Sequence, residues 1–306
     1  LLEKSLHYTY EPFFKDISKI GFKIFALDEE ALTIASIDQY MKLNYFKNNE
    51  KYLNTFFLSN FKQQEMLMTS NVNSSKLYLT GTPKFEIYKK KYRNIFEEET
   101  NKIKKKYGKF ILVTSRFAHI NPNMSSLDDV DKLDPVYLST SKEIFKKLIK
   151  LTIDLSERFN GINIIYRPHP SENINTLKKI FKNYKNIKVI YEGNVAPWIL
   201  GSILVIHNRC TTGLEGILLN KHVISFDPVD YKSIHSKFFK ILGHRCKTSD
   251  DVIKLTKKII KNKKIKYKYD KQVMEKYIYK FDNNKPHKKI IDLIEKKLEK
   301  KKLYLS

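Results

Sequence analysis

The stretch Ile203-Leu204-Val205-Ile206-His207-Asn208-Arg209-Cys210-Thr211-Thr212-Gly213-Leu214-Glu215-Gly216 runs from an apolar strand pattern through a polar turn into an apolar helix continued by Ile217 and Leu218. It reads as a buried strand that hands over to a helix at its carboxyl end. A second apolar run, Gly161-Ile162-Asn163-Ile164-Ile165, ends in Tyr166-Arg167-Pro168-His169-Pro170. Outward from these two, the pattern alternates from Gly108: strand 110–114, polar loop through Pro135, helix 139–159, strand 162–166, helix 173–184 and strand 187–191. A short helix around Trp198, strand 203–207, helix 212–219, strand 222–226 and helix 249–261 complete it. Strand and helix in turn imply parallel strands with right-handed crossovers, hence a Rossmann-like α/β sheet. Ligands of such sheets gather at the carboxyl ends of the strands, where both turns fall.

The first third reads as another α/β unit. A helical 1–20 precedes strand Lys23–Leu27, which ends on Asp28-Glu29-Glu30; strands 51–58 and 76–79 flank helix 60–69, and the turn Thr80-Gly81-Thr82-Pro83 leads into a charged helix 85–106. At 306 residues the chain exceeds the size at which one core stops growing. Three segments are expected: an N-terminal Rossmann-like domain 1–107, a C-terminal Rossmann-like domain 108–265, and a helical 266–306 that packs back on the first. The sequence starts without Met and its first strong strand comes only at Lys23, which leaves room for missing N-terminal strands.

With 42% apolar and 30% charged residues and no apolar run near the ~20 residues of a membrane span, a soluble globular chain without a secretory signal is expected. The net charge is +25, yet only six of the 58 basic residues are Arg. Specific nucleic-acid readers lean on bidentate Arg, so nucleic acid is not an expected partner. Local excesses at 261–269 and 296–302 read as solvated helix faces or as peripheral contacts with an anionic membrane. Two cysteines, Cys210 and Cys246, make neither a disulfide framework nor a metal set and fit a reducing cytoplasm.

The turn after Ile206 puts Thr211 and Thr212 at a helix start, whose partnerless amides and dipole attract phosphate, and Gly213 offers close backbone approach. Taken singly, Thr-Thr-Gly is also an ordinary cap. His169, held between two prolines at a strand end, suits a side chain that hydrogen-bonds or protonates a departing phosphate; the alternative is a turn histidine. Asp28-Glu29-Glu30 ends a strand where a general base could sit, or begins a solvated helix. Glu192 and Glu215 could accept from ribose hydroxyls or be surface acids. Asp129-Val130-Asp131 has D-x-D spacing but follows no strand, so no metal is expected. There is no G-x-G-x-x-G, P-loop or nucleophile elbow.

An acidic pair near the start, His169-Pro170 in the middle and Thr211-Thr212 later, 42 residues beyond His169, resemble the three motifs of bacterial CMP-sugar glycosyltransferases (sialyl-, polysialyl- and Kdo transferases). The wider wording Leu27-Asp28-Glu29-Glu30, Thr80-Gly81-Thr82-Pro83-Lys84-Phe85, Arg167-Pro168-His169-Pro170-Ser171-Glu172, Pro197-Trp198 and His207 to Thr212 looks like surface carbohydrate (capsule and lipopolysaccharide) biosynthesis proteins. The resemblance implies a GT-B fold, two Rossmann-like domains facing across a cleft, the first on the acceptor side and the second nucleotide-binding. It implies Glu30, with Glu29, as general base, His169 at the departing phosphate, and Thr211 and Thr212 on the phosphate, with Arg167 and Asn208 beside them. The family triplet ends in Gly where Ala31 stands, so the choice among Asp28, Glu29 and Glu30 stays open.

The implied reaction moves an acidic sugar from a CMP-sugar to a glycan or glycolipid acceptor, with inversion, without metal or other cofactor, in the cytoplasm or on the inner face of its membrane. The alternatives are a UDP- or CDP-linked substrate, as in polyol-phosphate transferases or nucleotide-sugar epimerases, and a non-catalytic binder of polyanions or membranes.

Overall fold

The computed structural model describes residues 1–28, 37–123, 134–229, 242–261, 271–281 and 283–299. The chain forms two compact units, residues 1–89 with 270–306, and residues 90–269.

Unit 1 holds a parallel sheet of β1 (Leu2–Glu3), β2 (Ile24–Leu27), β3 (Leu53–Leu58) and β4 (Leu77–Leu79), in that order. Its helices in this part are α1 (Glu11–Lys19), α2 (Ile37–Leu43) and α3 (Phe61–Met68). β2 is an unbroken apolar run because both its faces are covered. Ile24 and Ala26 pack with Leu6, Phe14, Tyr45 and Phe56, whereas Phe25 and Leu27 pack with Phe57 and Ile290. The expected helix 1–20 is a 3₁₀ turn at Tyr8–Tyr10 and α-helical only from Glu11, where Pro12 occupies the first turn. Leu2 and Glu3 instead pair with Phe25 and Ala26.

The expected helix 85–106 is two 3₁₀ segments, Pro83–Tyr88 and Lys90–Phe96, followed by α4 (Glu97–Tyr107). Phe85, Tyr88 and Phe96 are buried there, and the tighter turn brings residues about three apart to one side. The boundary at 107/108 accordingly moves to 89/90. Ile103 of α4 lies beside Gly201, where a Cβ would stand 3.6 Å from Ile103 Cγ2, so α4 is part of unit 2.

Unit 2 contains β5 (Phe110–Thr114), α5 (Pro135–Arg158), β6 (Asn163–Arg167), α6 (Ile174–Ile180), β7 (Ile187–Val189), α7 (Val195–Gly201), β8 (Leu204–His207), α8 (Thr212–Leu218), β9 (His222–Phe226), β10 (His244–Cys246) and α9 (Ser249–Ile260). All six strands are parallel, ordered β10-β9-β8-β5-β6-β7. Ile111, Val113, Ile164, Ile206 and Ile224 point to one face, under Leu148, Leu151, Leu155, Leu177, Val252 and Ile259 of α5, α6 and α9. Phe110, Val205 and Val223 meet Gly201 and Gly216 of α7 and α8 on the other.

From the central β5 the chain moves outward through β6 and β7, crosses by α7 to β8, and moves outward the other way. That is the doubly wound order, with its switch point between β5 and β8. The chain then returns to unit 1 as α10 (Lys271–Tyr277) and α11 (Pro286–Glu299). The single helix expected over 271–303 breaks before Pro286, whose ring cannot continue a helix, and α11 seats Ile290 on Phe25, Leu27 and Phe57. The architecture is α/β of GT-B type, with two Rossmann-like units and a C-terminal helix belonging to the first.

Candidate functional site

Thr114 of β5 pairs with Arg167 on one side and His207 on the other, so three central strands finish level. His169 stands two residues beyond Arg167 and Arg209 two beyond His207, at the edge that includes the switch point.

His169 is half-buried, and its ring Nδ1 accepts the Ser171 amide at 3.2 Å. In the neutral ring this puts the proton on Nε2, as a donor. A carboxylate fixes the turn: buried Glu172 accepts the His169 amide at 2.9 Å and the Ser115 hydroxyl at 2.8 Å through Oε1, while the Glu172 amide returns to the His169 carbonyl at 2.9 Å. Burial pushes the Glu172 carboxyl above its ordinary range, against the hydrogen bonds it accepts. Glu172 stands two residues after the His169-Pro170 pair, yet its clamping role carries no sequence signal, because Ser115 lies 57 residues away.

Arg167 was expected to support the phosphate, and the structure shows it tying down the next loop. Its guanidinium donates to the Glu192 and Gly193 carbonyls, both at 2.7 Å, and lies over the rings of Tyr191 and Trp198. Trp198 Nε1 donates to the same Glu192 carbonyl. The Glu192 side chain is exposed. Glu215 is buried one turn into α8, and its charge acts on Arg167.

After β8 the turn is built on His207, fully buried, with Nε2 2.8 Å from the Leu242 carbonyl and Nδ1 accepting the Cys210 amide at 3.4 Å. Burial lowers its pKa to about 4, so the ring is neutral and donates to Leu242. Gly213 was expected to admit a ligand; a Cβ there would lie 2.4–2.7 Å from the His207 ring, so the imidazole occupies that space. Asn208 Nδ2 donates to the Phe226 carbonyl at 2.6 Å.

Arg209 has φ +48°, a left-handed conformation costing on the order of 1–3 kcal/mol in a non-glycine residue. It is held by Asp227 Oδ1, which accepts Arg209 Nη2 at 2.7 Å and Nε at 3.2 Å, while Oδ2 accepts Arg245 Nη2 at 2.6 Å. Thr211 and Thr212 follow, half-buried. The Thr211 hydroxyl makes no capping bond to α8, and the Thr212 hydroxyl lies 3.3 Å from the buried Cys210 sulfur.

In unit 1, Asp28 ends β2 and is buried. The Tyr40 hydroxyl hydrogen-bonds to it and accepts Gln63 Nε2 at 2.6 Å; Gln63 Oε1 accepts the Ser59 amide and hydroxyl. Glu29, Glu30 and Asp129-Val130-Asp131 lie outside the described residues.

No protein-family model matches the sequence, and no curated protein matches it. Solved structures do. UDP-GlcNAc 2-epimerase from Methanocaldococcus jannaschii in complex with UDP-GlcNAc and UDP is 15% identical over 92% of this chain and 71% of that one, with a TM-score of 0.60. The Neisseria meningitidis UDP-GlcNAc 2-epimerase bound to UDP-GlcNAc is 12% identical over 92% and 72%, with a TM-score of 0.55. The wall teichoic acid polymerase TagF, soaked with CDPG, is 15% identical over 91% and 68%, with a TM-score of 0.58. At these identities the likeness is one of fold, the GT-B fold.

Proposed function

We propose that this chain is an enzyme of surface-glycan synthesis that acts on a UDP- or CDP-linked sugar or polyol phosphate held at the carboxyl edge of the unit 2 sheet. The observation that carries the reading is His169: a donor with its tautomer set by Ser171 and its turn clamped by Glu172, standing where the central strands finish level. A donor fixed before the reaction stabilises phosphate charge without reorganisation as a bond to it breaks. Thr211 and Thr212, on the neighbouring turn, supply further hydroxyls to the phosphates, and Glu192 is the acid available to a ribose. Of the acidic triplet, Asp28 is buried against Tyr40.

The choice of a UDP- or CDP-linked substrate over a CMP-sugar is supported by the ligands held by proteins of this fold, UDP-GlcNAc, UDP and CDPG. The test is calorimetric titration of UDP, CDP, UMP and CMP, with EDTA and then with Mg²⁺, into wild type and His169→Ala. The reading predicts tighter binding of a diphosphate, weakened in the variant. Preference for CMP would restore transfer of an acidic sugar, and binding indifferent to His169 would remove the histidine from the site.

A further inference from the structure

The loop after β7, Tyr191-Glu192-Gly193-Asn194, leaves the sheet beside the turn that carries His169. Tyr166 pairs with Val189, and the Ile190 amide still donates to the Tyr166 carbonyl at 3.0 Å. The Arg167 guanidinium lies 4.8 Å from the centroid of the Tyr191 ring, which is nevertheless 45% exposed. An exposed aromatic ring backed by a cation is a stacking surface for a nucleobase.

Arg167 also fixes which way the peptides of this loop face. Its buried guanidinium donates to the Glu192 and Gly193 carbonyls, and Trp198 Nε1 donates to the Glu192 carbonyl as well. Gly193 has φ +56°, the left-handed conformation that lets two successive carbonyls turn to one side. In a planar trans peptide the N–H points opposite to the carbonyl before it. The amides of Gly193 and Asn194 therefore face away from Arg167, next to one another, and neither donates a hydrogen bond among the described residues. Both lie ahead of the first residue of α7. Two neighbouring donors suit two neighbouring acceptors. Cytosine presents such a pair, O2 and N3, whereas uracil places a donor, N3–H, between its two carbonyl oxygens. Glu99, whose Oε1 would stand 2.5 Å from a Cβ on Gly193, is an acceptor at hand for the cytosine amino group.

We propose that the nucleotide of the substrate is cytidine diphosphate, its base stacked on Tyr191 with O2 and N3 on the Gly193 and Asn194 amides. The proposal rests on the reading of this edge as a nucleotide site with phosphates at His169, and it chooses between the two bases which that reading leaves open. The test is calorimetric titration of CDP and UDP into the full chain, for wild type, Asn194→Pro, Asn194→Ala and Tyr191→Ala. Asn194 has φ −71°, which proline adopts, so Asn194→Pro deletes one amide donor with the backbone in place. Asn194→Ala removes only the side-chain cap on the Ala196 amide and keeps the donor. Expected are CDP bound about tenfold or more tighter than UDP by wild type and Asn194→Ala, that preference lost in Asn194→Pro, and both nucleotides weakened by Tyr191→Ala. The wild-type ratio is decisive even if Asn194→Pro does not fold. UDP bound as tightly as CDP by wild type, or a preference that survives in a folded Asn194→Pro, would overturn the proposal and leave the nucleotide site standing. No binding of either nucleotide, or binding indifferent to His169→Ala, would remove the underlying reading and the proposal with it.

Discussion

Gly213→Ala tests the geometry of the turn after β8. The added methyl would stand 2.4 Å from His207 Nε2, 2.5 Å from Cε1 and 2.7 Å from Cδ2, against ordinary contacts of about 3.5–4.0 Å. The ring would have to retreat by about 1 Å, but it is buried and tied at Nε2 to Leu242 and at Nδ1 to Cys210. Overpacking of about 1–3 kcal/mol plus weakening of two hydrogen bonds near 1 kcal/mol each gives a loss of about 2–4 kcal/mol. In a His207→Ala background the methyl has room, and the better helix propensity of Ala makes the same change neutral or stabilising by up to about 1 kcal/mol. Chemical unfolding of the four proteins, followed through the unit 2 transition, should therefore give a coupling of about 2 kcal/mol or more. A Gly213→Ala variant within about 0.5 kcal/mol of wild type, or additive costs, would refute the packing.

Further outcomes follow from the same edge. Because burial raises the Glu172 carboxyl, its contribution is present below the ordinary carboxylate range and lost as pH rises through the folded value. Glu172→Gln should remove that loss, and a wild-type-minus-variant melting difference that stays flat with pH would contradict it. His207 is depressed to about 4 from 6.5, so its contribution, about 3 kcal/mol by linkage, is present above pH ~6.5 and lost as pH falls toward 4; His207→Asn should show a shallower acid limb in a pH series of unfolding. Arg167→Lys cannot span two carbonyls and should cost about 2 kcal/mol while shifting the fluorescence of Trp198, the single tryptophan. An unchanged spectrum would show that Arg167 does not order the Tyr191–Trp198 loop.

Much of unit 2 was legible because its strands announce themselves. His222-Val223-Ile224-Ser225-Phe226 is apolar, β-branched and bounded by polar turns, and the strand spans those residues. β10 carries little sequence signal because His244-Arg245-Cys246 buries only Cys246 and, among the described residues, pairs with β9 alone. The return of 270–299 to unit 1 was readable from its length, but not its break before Pro286.

The turns at the ends of β6 and β8 were visible as motifs, while the partners that give their residues roles were not. Ser115 lies 57 residues from Glu172 and Leu242 lies 35 from His207, so no local pattern separates the presented His169 from the structural His207. The resemblance puts Arg167 beside the phosphate elements, and nothing local in the sequence shows that two of its five N–H donors go to carbonyls 25 and 26 residues on. The clamp at Asp28 was hidden for the same reason, since Tyr40 and Gln63 come from two separate helices.

The most direct test of the account is a crystal structure of the chain with UDP or CDP bound. It predicts the phosphates at the carboxyl edge of the unit 2 sheet, with an oxygen within hydrogen-bond distance of His169 Nε2 and the hydroxyls of Thr211 or Thr212 turned toward them. A nucleotide bound elsewhere, with His169 Nε2 making no contact to phosphate, would contradict it.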